Sequence, residues 1–151
     1  MKLIVYLFLL LVLCACLPTP APNLPTTNRA PFIIKSAENE YAPRSTDIKL
    51  QIGGVILTSL DIIEQTDSAP NRVKIYILGS LPQACNELRV DVSDPNPQYQ
   101  IKINVYSLVN PKVKCENVFQ QFEASILLGV YSKGRYTIWA NKQLVGDFVS
   151  N

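Results

Sequence analysis

From Asp47 to the end of the chain, apolar residues fall at every second position, and no segment there carries a sustained 3.6-residue stripe. That period belongs to a strand with one buried face. Ile48, Leu50 and Ile52 alternate with Lys49 and Gln51. Val73, Ile75 and Ile77 oppose Lys74 and Tyr76, and Leu88, Val90 and Val92 oppose Arg89 and Asp91. Ile101, Ile103 and Val105 oppose Lys102, Asn104 and Tyr106. Phe122, Ala124, Ile126 and Leu128 repeat the pattern, as do Tyr136, Ile138 and Ala140, with Leu144, Val145 and Phe148 in a last strand. Turn formers separate the runs: Gly53-Gly54, Leu81-Pro82, Asp94-Pro95-Asn96-Pro97, Asn110-Pro111, Ser132-Lys133-Gly134 and Asn141-Lys142. Short strands at this spacing predict an all-β domain, an antiparallel immunoglobulin-like sandwich of about seven or eight strands.

The amino terminus differs. Lys2 is followed by fifteen apolar residues, Leu3 to Leu17. A spanning helix needs about 20, so this run fits a secretory signal segment. Its end, Leu13-Cys14-Ala15-Cys16, resembles the bacterial lipobox, in which the last cysteine is lipidated after cleavage. Ala15 suits the small pocket before the cut, whereas cleavage before Cys14 would place Leu13 there. Cys14 itself departs from the small residues usual at its position. The expected organisation is a lipoprotein signal peptide over 1–15, a Pro-rich tether over 16–46 and a β-sandwich over 47–151. The alternative is a signal cut elsewhere or an uncleaved anchor.

Prolines at 18, 20, 22, 25 and 31 make the tether extended and core-poor. Its Asn23-Leu24-Pro25-Thr26-Thr27-Asn28 loosely resembles the Asn-Pro-Thr-Thr-Gly loop of chagasin-type cysteine-protease inhibitors, but it lies outside the strands. Phe32-Ile33-Ile34 could dock as an added edge strand. Lipidation at Cys16 would leave Cys85 and Cys115, which in an exported chain pair most simply as a disulfide near strand ends. The alternative, a redox or nucleophilic thiol, lacks a Cys-x-x-Cys and a histidine to support it.

The chain has no histidine at all. Histidine-based triads, histidine zinc sites and imidazole acid–base catalysis are therefore excluded, and no enzyme activity, metal or cofactor is expected. The net charge is +2, and +1 once Lys2 leaves with the signal (13 basic against 12 acidic). Such a balance draws no nucleic acid. Asp91, Asp94 and Asn96 have oxygen ligands at the spacing of a calcium site, but an Asp/Asn turn whose side chains bond their own backbone is the expected account. Asp61 with Glu64, and Glu38 with Glu40, form conceivable carboxylate pairs with nothing to fix their separation.

Gly79-Ser-Leu-Pro-Gln-Ala-Cys85, Cys115, Phe122-Glu123 and Gly134-Arg-Tyr-Thr-Ile-Trp-Ala-Asn141 resemble a group of small bacterial envelope lipoproteins, over roughly residues 55–149. Gln121 stands where that group has proline. The resemblance implies the sandwich and the cysteine pair, and no particular chemistry. Gly134 and Tyr136 look like the turn and corner tyrosine of an immunoglobulin-like strand.

If Tyr136, Ile138 and Ala140 point inward, Trp139 points outward with Arg135 and Thr137, a candidate binding face. The rival is a strand or tether lying over it. Two functions follow. One is a lipid-anchored envelope module, membrane-held and extracytoplasmic, that binds a protein or glycan. The other is a non-catalytic structural accessory of an envelope complex.

Overall fold

The computed structural model describes residues 30–66 and 70–151; the signal segment, Cys16 and the first part of the tether lie outside them. Ten strands follow in order: β1 (Ile33–Lys35), β2 (Gln51–Gly53), β3 (Ile56–Gln65), β4 (Arg72–Leu81), β5 (Glu87–Val92), β6 (Gln100–Val109), β7 (Gln120–Leu127), β8 (Val130–Tyr131), β9 (Gly134–Ala140) and β10 (Gln143–Ser150). The only helical element among the described residues is a 3-10 turn at Ser45–Lys49.

Two sheets enclose the core. One has the order β3-β4-β7, and the other the order β10-β9-β6-β2, with β5 on the free flank of β6. A short β1-β8 ladder closes one end. The alternation works as a half-buried strand demands. Val73, Ile75 and Ile77 of β4, Ile101, Ile103 and Val105 of β6, and Tyr136, Ile138 and Ala140 of β9 are all buried. Each such side chain contributes at most about 1.5–3 kcal/mol. Outward residues keep their heads in solvent; the Tyr76 hydroxyl, for instance, donates to the Glu123 carboxylate.

The all-β sandwich is as expected, but one pair is not antiparallel. β6 and β9 run parallel, with Lys102 opposite Trp139 and Ile103 opposite Ala140. The route of the chain explains this. After β6 it crosses to the other sheet, returns along β7, passes β8 and re-enters beside β6 in the same direction. Local alternation cannot encode that order.

Residues ahead of the expected domain start at Asp47 also make bonds to the sandwich. Ile33 and Lys35 pair with Tyr131 and Val130, so Phe32-Ile33-Ile34 does dock as an edge segment. Glu38 bridges Leu127, and Val90 donates its N–H to Tyr41 O at 2.9 Å. Buried Arg72 clamps this arm: its guanidinium donates to Leu128 O at 2.9 Å and pairs with Glu38 at 2.6 Å. Residues 35–46, read as tether from their polar character, thus bond to the sandwich at Glu38, Asn39 and Tyr41.

The first expected strand is displaced as well. Asp47 accepts two hydrogen bonds from Arg89, each 2.8 Å, and one from the Arg44 N–H. Those bonds turn 45–49 into the 3-10 element and leave only 51–53 to pair with β6. Ile48 and Ile52, expected inside, are 89% and 77% exposed.

Cys85 and Cys115 form a disulfide with a Cα–Cα distance of 5.9 Å. It ties the loop before β5 to the loop between β6 and β7, at the strand ends.

Candidate functional site

The outer face of the larger sheet is built by alternation on three neighbouring strands. With Leu88, Val90 and Ile103 turned inward, Asp91 on β5 and Lys102 and Asn104 on β6 must point out. Trp139 points out from β9 for the same reason. Register then brings these side chains together. Asp91 lies opposite Asn104, and Lys102 lies opposite Trp139. They line a hollow of about 560 Å³, with Ser93 and Lys142 on its rim. That volume is within the range of small-ligand sites.

The hollow exists because the sheet loses a strand there. β9 pairs with β6 only as far as Ile103, while β2 joins β6 only from Ser107. Asn141 fills the gap between them. Its amide accepts the Val105 N–H at 2.8 Å and donates to Val105 O at 3.0 Å, replacing the missing main chain. The chain can then turn away in a two-residue hairpin, Asn141-Lys142, with φ of 45° and 73°. Positive φ at both positions is the type I′ pattern that matches strand twist.

The indole is held in place. Trp139 Nε1 donates to Thr137 Oγ1 at 3.2 Å, so the half-buried ring that lines the hollow contributes apolar surface rather than a donor. Around it, the side chains of Asp91, Lys102 and Asn104 are exposed and make no hydrogen bond or ion pair among the described residues. On the far side of β5 and β6 the face is covered, because Arg89 is buried beneath the 3-10 turn. The Arg89 hydrogen bonds hold the Asp47 carboxyl down to about 2. Burial, reinforced by the Asp91 charge, raises the Tyr106 phenol next to them.

Of the residues expected on this face, Arg135, Thr137 and Trp139 alternate outward together along β9. The Arg135 guanidinium pairs at 2.6 Å with Asp147, which lies opposite Thr137 on β10, and its side chain is 73% exposed. Asn96 braces its own loop, since its Oδ1 accepts the N–H of Gln98 and of Gln100 and its amide donates to Gln100 Oε1. Asp91 stands on β5, and Asp94 belongs to the loop that Asn96 braces. Asp61 and Glu64 face Tyr76 and Val73 across β4 at separate rungs. Glu38 is committed to Arg72 and Lys35 and is held below the usual carboxylate range by those hydrogen bonds, Arg72 first. Tyr136 is a corner residue: its hydroxyl donates to Ser132 O at 2.7 Å while its ring stacks on Phe148.

Lys102 and Asn104 were legible as outward residues but not as neighbours of Trp139. Only the parallel β6–β9 register makes them so.

The chain matches the family model of the ORF11 beta-sandwich domain over residues 75–150. It belongs to that family. The matched span runs from within β4 to the end of β10, so the family domain contains the disulfide and every side chain named around the hollow. The arm formed by residues 33–47 precedes it. No curated protein and no solved structure gives a significant match.

Chemically, the site offers a flat apolar surface ringed by an acid, an ammonium and an amide, each free to pair. Such a set recognises a ligand with an apolar face and a polar edge.

Proposed function

We propose that the chain is a lipid-anchored binding module of the cell envelope, held in the membrane through Cys16 and taking its ligand at the Trp139 hollow. The observation that carries this reading is the cluster of unpartnered Asp91, Lys102 and Asn104 heads around a fixed indole. Unsatisfied polar heads beside exposed aromatic surface add little to folding and suit recognition. The lipobox-like Leu13–Cys16 supports the anchor, and the disulfide is in keeping with an oxidising compartment.

The placement of the arm favours the same reading. The chain enters the domain at Phe32, whose O accepts the Ser132 N–H at 3.0 Å, close to the start of β9. Trp139 lies five residues further along that strand from Gly134, about 17 Å at strand rise. The indole is therefore separated along β9 from the strand start beside the point of entry, while Asp91 and Ser93 on the other side of the hollow border the arm at Ile33 and Ser36. Retention of the detergent-solubilised full chain on isolated envelope material tests the proposal. Trp139→Ala is expected to lose most retention, and Arg135→Ala, whose side chain pairs with Asp147 and does not line the hollow, to keep it. Equal retention of Trp139→Ala and the unaltered chain would contradict the reading.

A second reading, an accessory that docks on a larger complex, draws on a different surface. Ile48, Ile52 and Phe119 (63% exposed) stand at the end where β6 finishes and β7 begins. In-cell crosslinking from position 119 to one stoichiometric neighbour would favour it.

A further inference from the structure

Resting on the proposed binding role of the hollow, we infer that its ligand is a pyranose glycan presenting two adjacent free hydroxyls. Three features select that class over the other occupants of an envelope.

β6, the central strand of the hollow, has no free main chain to offer, and on the outer flank of β5 the Val90 N–H and O are taken by the arm. β6 is paired with β5 on one flank, and on the other its amides go to β9, to the Asn141 side chain and then to β2. Peptides added as strands are held mainly by ladder bonds, and here that ladder is already full. Recognition must come from side chains alone.

Those side chains match a sugar. The indole is one flat apolar plane, with its N–H already given to Thr137, so it contributes area rather than a donor. A pyranose has a corresponding face of C–H bonds. Asp91 and Asn104 sit directly opposite each other on β5 and β6. Cross-strand partners have Cβ atoms about 4.5–5.5 Å apart, so one carboxylate and one amide converge on the same small group. A carboxylate has two acceptor oxygens and accepts from two neighbouring hydroxyls, while the amide both donates and accepts. Lys102, opposite Trp139, adds donors toward ring or hydroxyl oxygens.

The alternatives fit less well. An acyl chain would leave the Asp91 and Lys102 charges desolvated and unpaired. A polyanion needs an extended basic patch, whereas the hollow sets Asp91 against Lys102 and Lys142 in a chain with a net charge of only +2.

The test divides one sample of isolated envelope material into three parts: untreated, oxidised with periodate, and digested with protease. Periodate cleaves the carbon–carbon bond between adjacent hydroxyl-bearing carbons and is reduced to iodate. The full chain, Trp139→Ala and Asp91→Asn are each measured for retention. The expected result is that periodate abolishes the Trp139-dependent retention and protease spares it, with Asp91→Asn weakened about tenfold and Trp139→Ala about thirtyfold. Loss on protease digestion but not on periodate would overturn the glycan and leave the binding role standing. An absence of Trp139-dependent retention on untreated material, with both variants melting like the unaltered chain, would overturn both.

Discussion

Tyr99 holds a backbone φ of 59°, and its ring lies where a Gly134 side chain would be: a Cβ built at Gly134 would come within 2.5 Å of Tyr99 Cε1. The same ring makes an edge-to-face contact with Tyr136, 5.2 Å between centroids. Gly134→Ala is therefore expected to force this aromatic cluster apart at a cost of about 1–3 kcal/mol, read as a lower denaturant midpoint at unchanged m-value. Lys142 is the opposite case. Its φ of 73° is one that a side chain disfavours. Lys142→Gly is expected to raise stability by about 0.5 kcal/mol, the relief of left-handed strain less the extra freedom of glycine when unfolded. A lower melting temperature would contradict the type I′ assignment. At this scale the sequence was readable: Gly134-x-Tyr136 and Asn141-Lys142 announce a corner and a hairpin through local chemistry. Ile48 was not, because what decides its exposure is Arg89, forty-one positions away, drawing Asp47 over β5.

Among the elements, the arm and the disulfide carry separable contributions. The unfolded Asp47 carboxyl titrates near the ordinary value of about 3.9, and in the folded chain it is held down to about 2 by the Arg89 hydrogen bonds. A depressed carboxyl stabilises fully above its unfolded value and loses that contribution as pH falls from about 4 to about 2. Asp47→Asn is expected to be less stable at neutral pH and to show a flatter stability profile across that window. A parallel profile would mean that the ion pair does not anchor the arm. Replacing Cys85 and Cys115 together by serine opens a link between residues 30 apart. The expected loss is about 3–4 kcal/mol in the chain-entropy account, measured by urea unfolding. The alternation of β4, β6 and β9 made the strands legible one by one. The parallel β6–β9 pairing was not, since it depends on the excursion through β7, and the Trp139 neighbourhood became visible only with it. Residues 33–46 resist such reading because their bonds to the sandwich run largely through main chain and through buried Arg72, which leaves no apolar period to detect.

For the molecule as a whole, the proposal joins an anchor to a face. Intact-mass analysis of the purified chain is expected to show an amino terminus at Cys16 bearing acyl chains, and Cys85–Cys115 oxidised. An unmodified Met1 start would remove the anchor while leaving the hollow and its chemistry untouched. The face has its own reporter, because Trp139 is the sole tryptophan in the sequence and it lines the hollow. The most direct measurement is therefore the intrinsic emission of the full chain during titration with solubilised envelope extract. Occupation of the hollow predicts a saturable change in intensity and wavelength that follows binding measured by retention and is weakened in Asp91→Asn. Binding by retention with an unchanged tryptophan spectrum would place the ligand elsewhere and contradict the account.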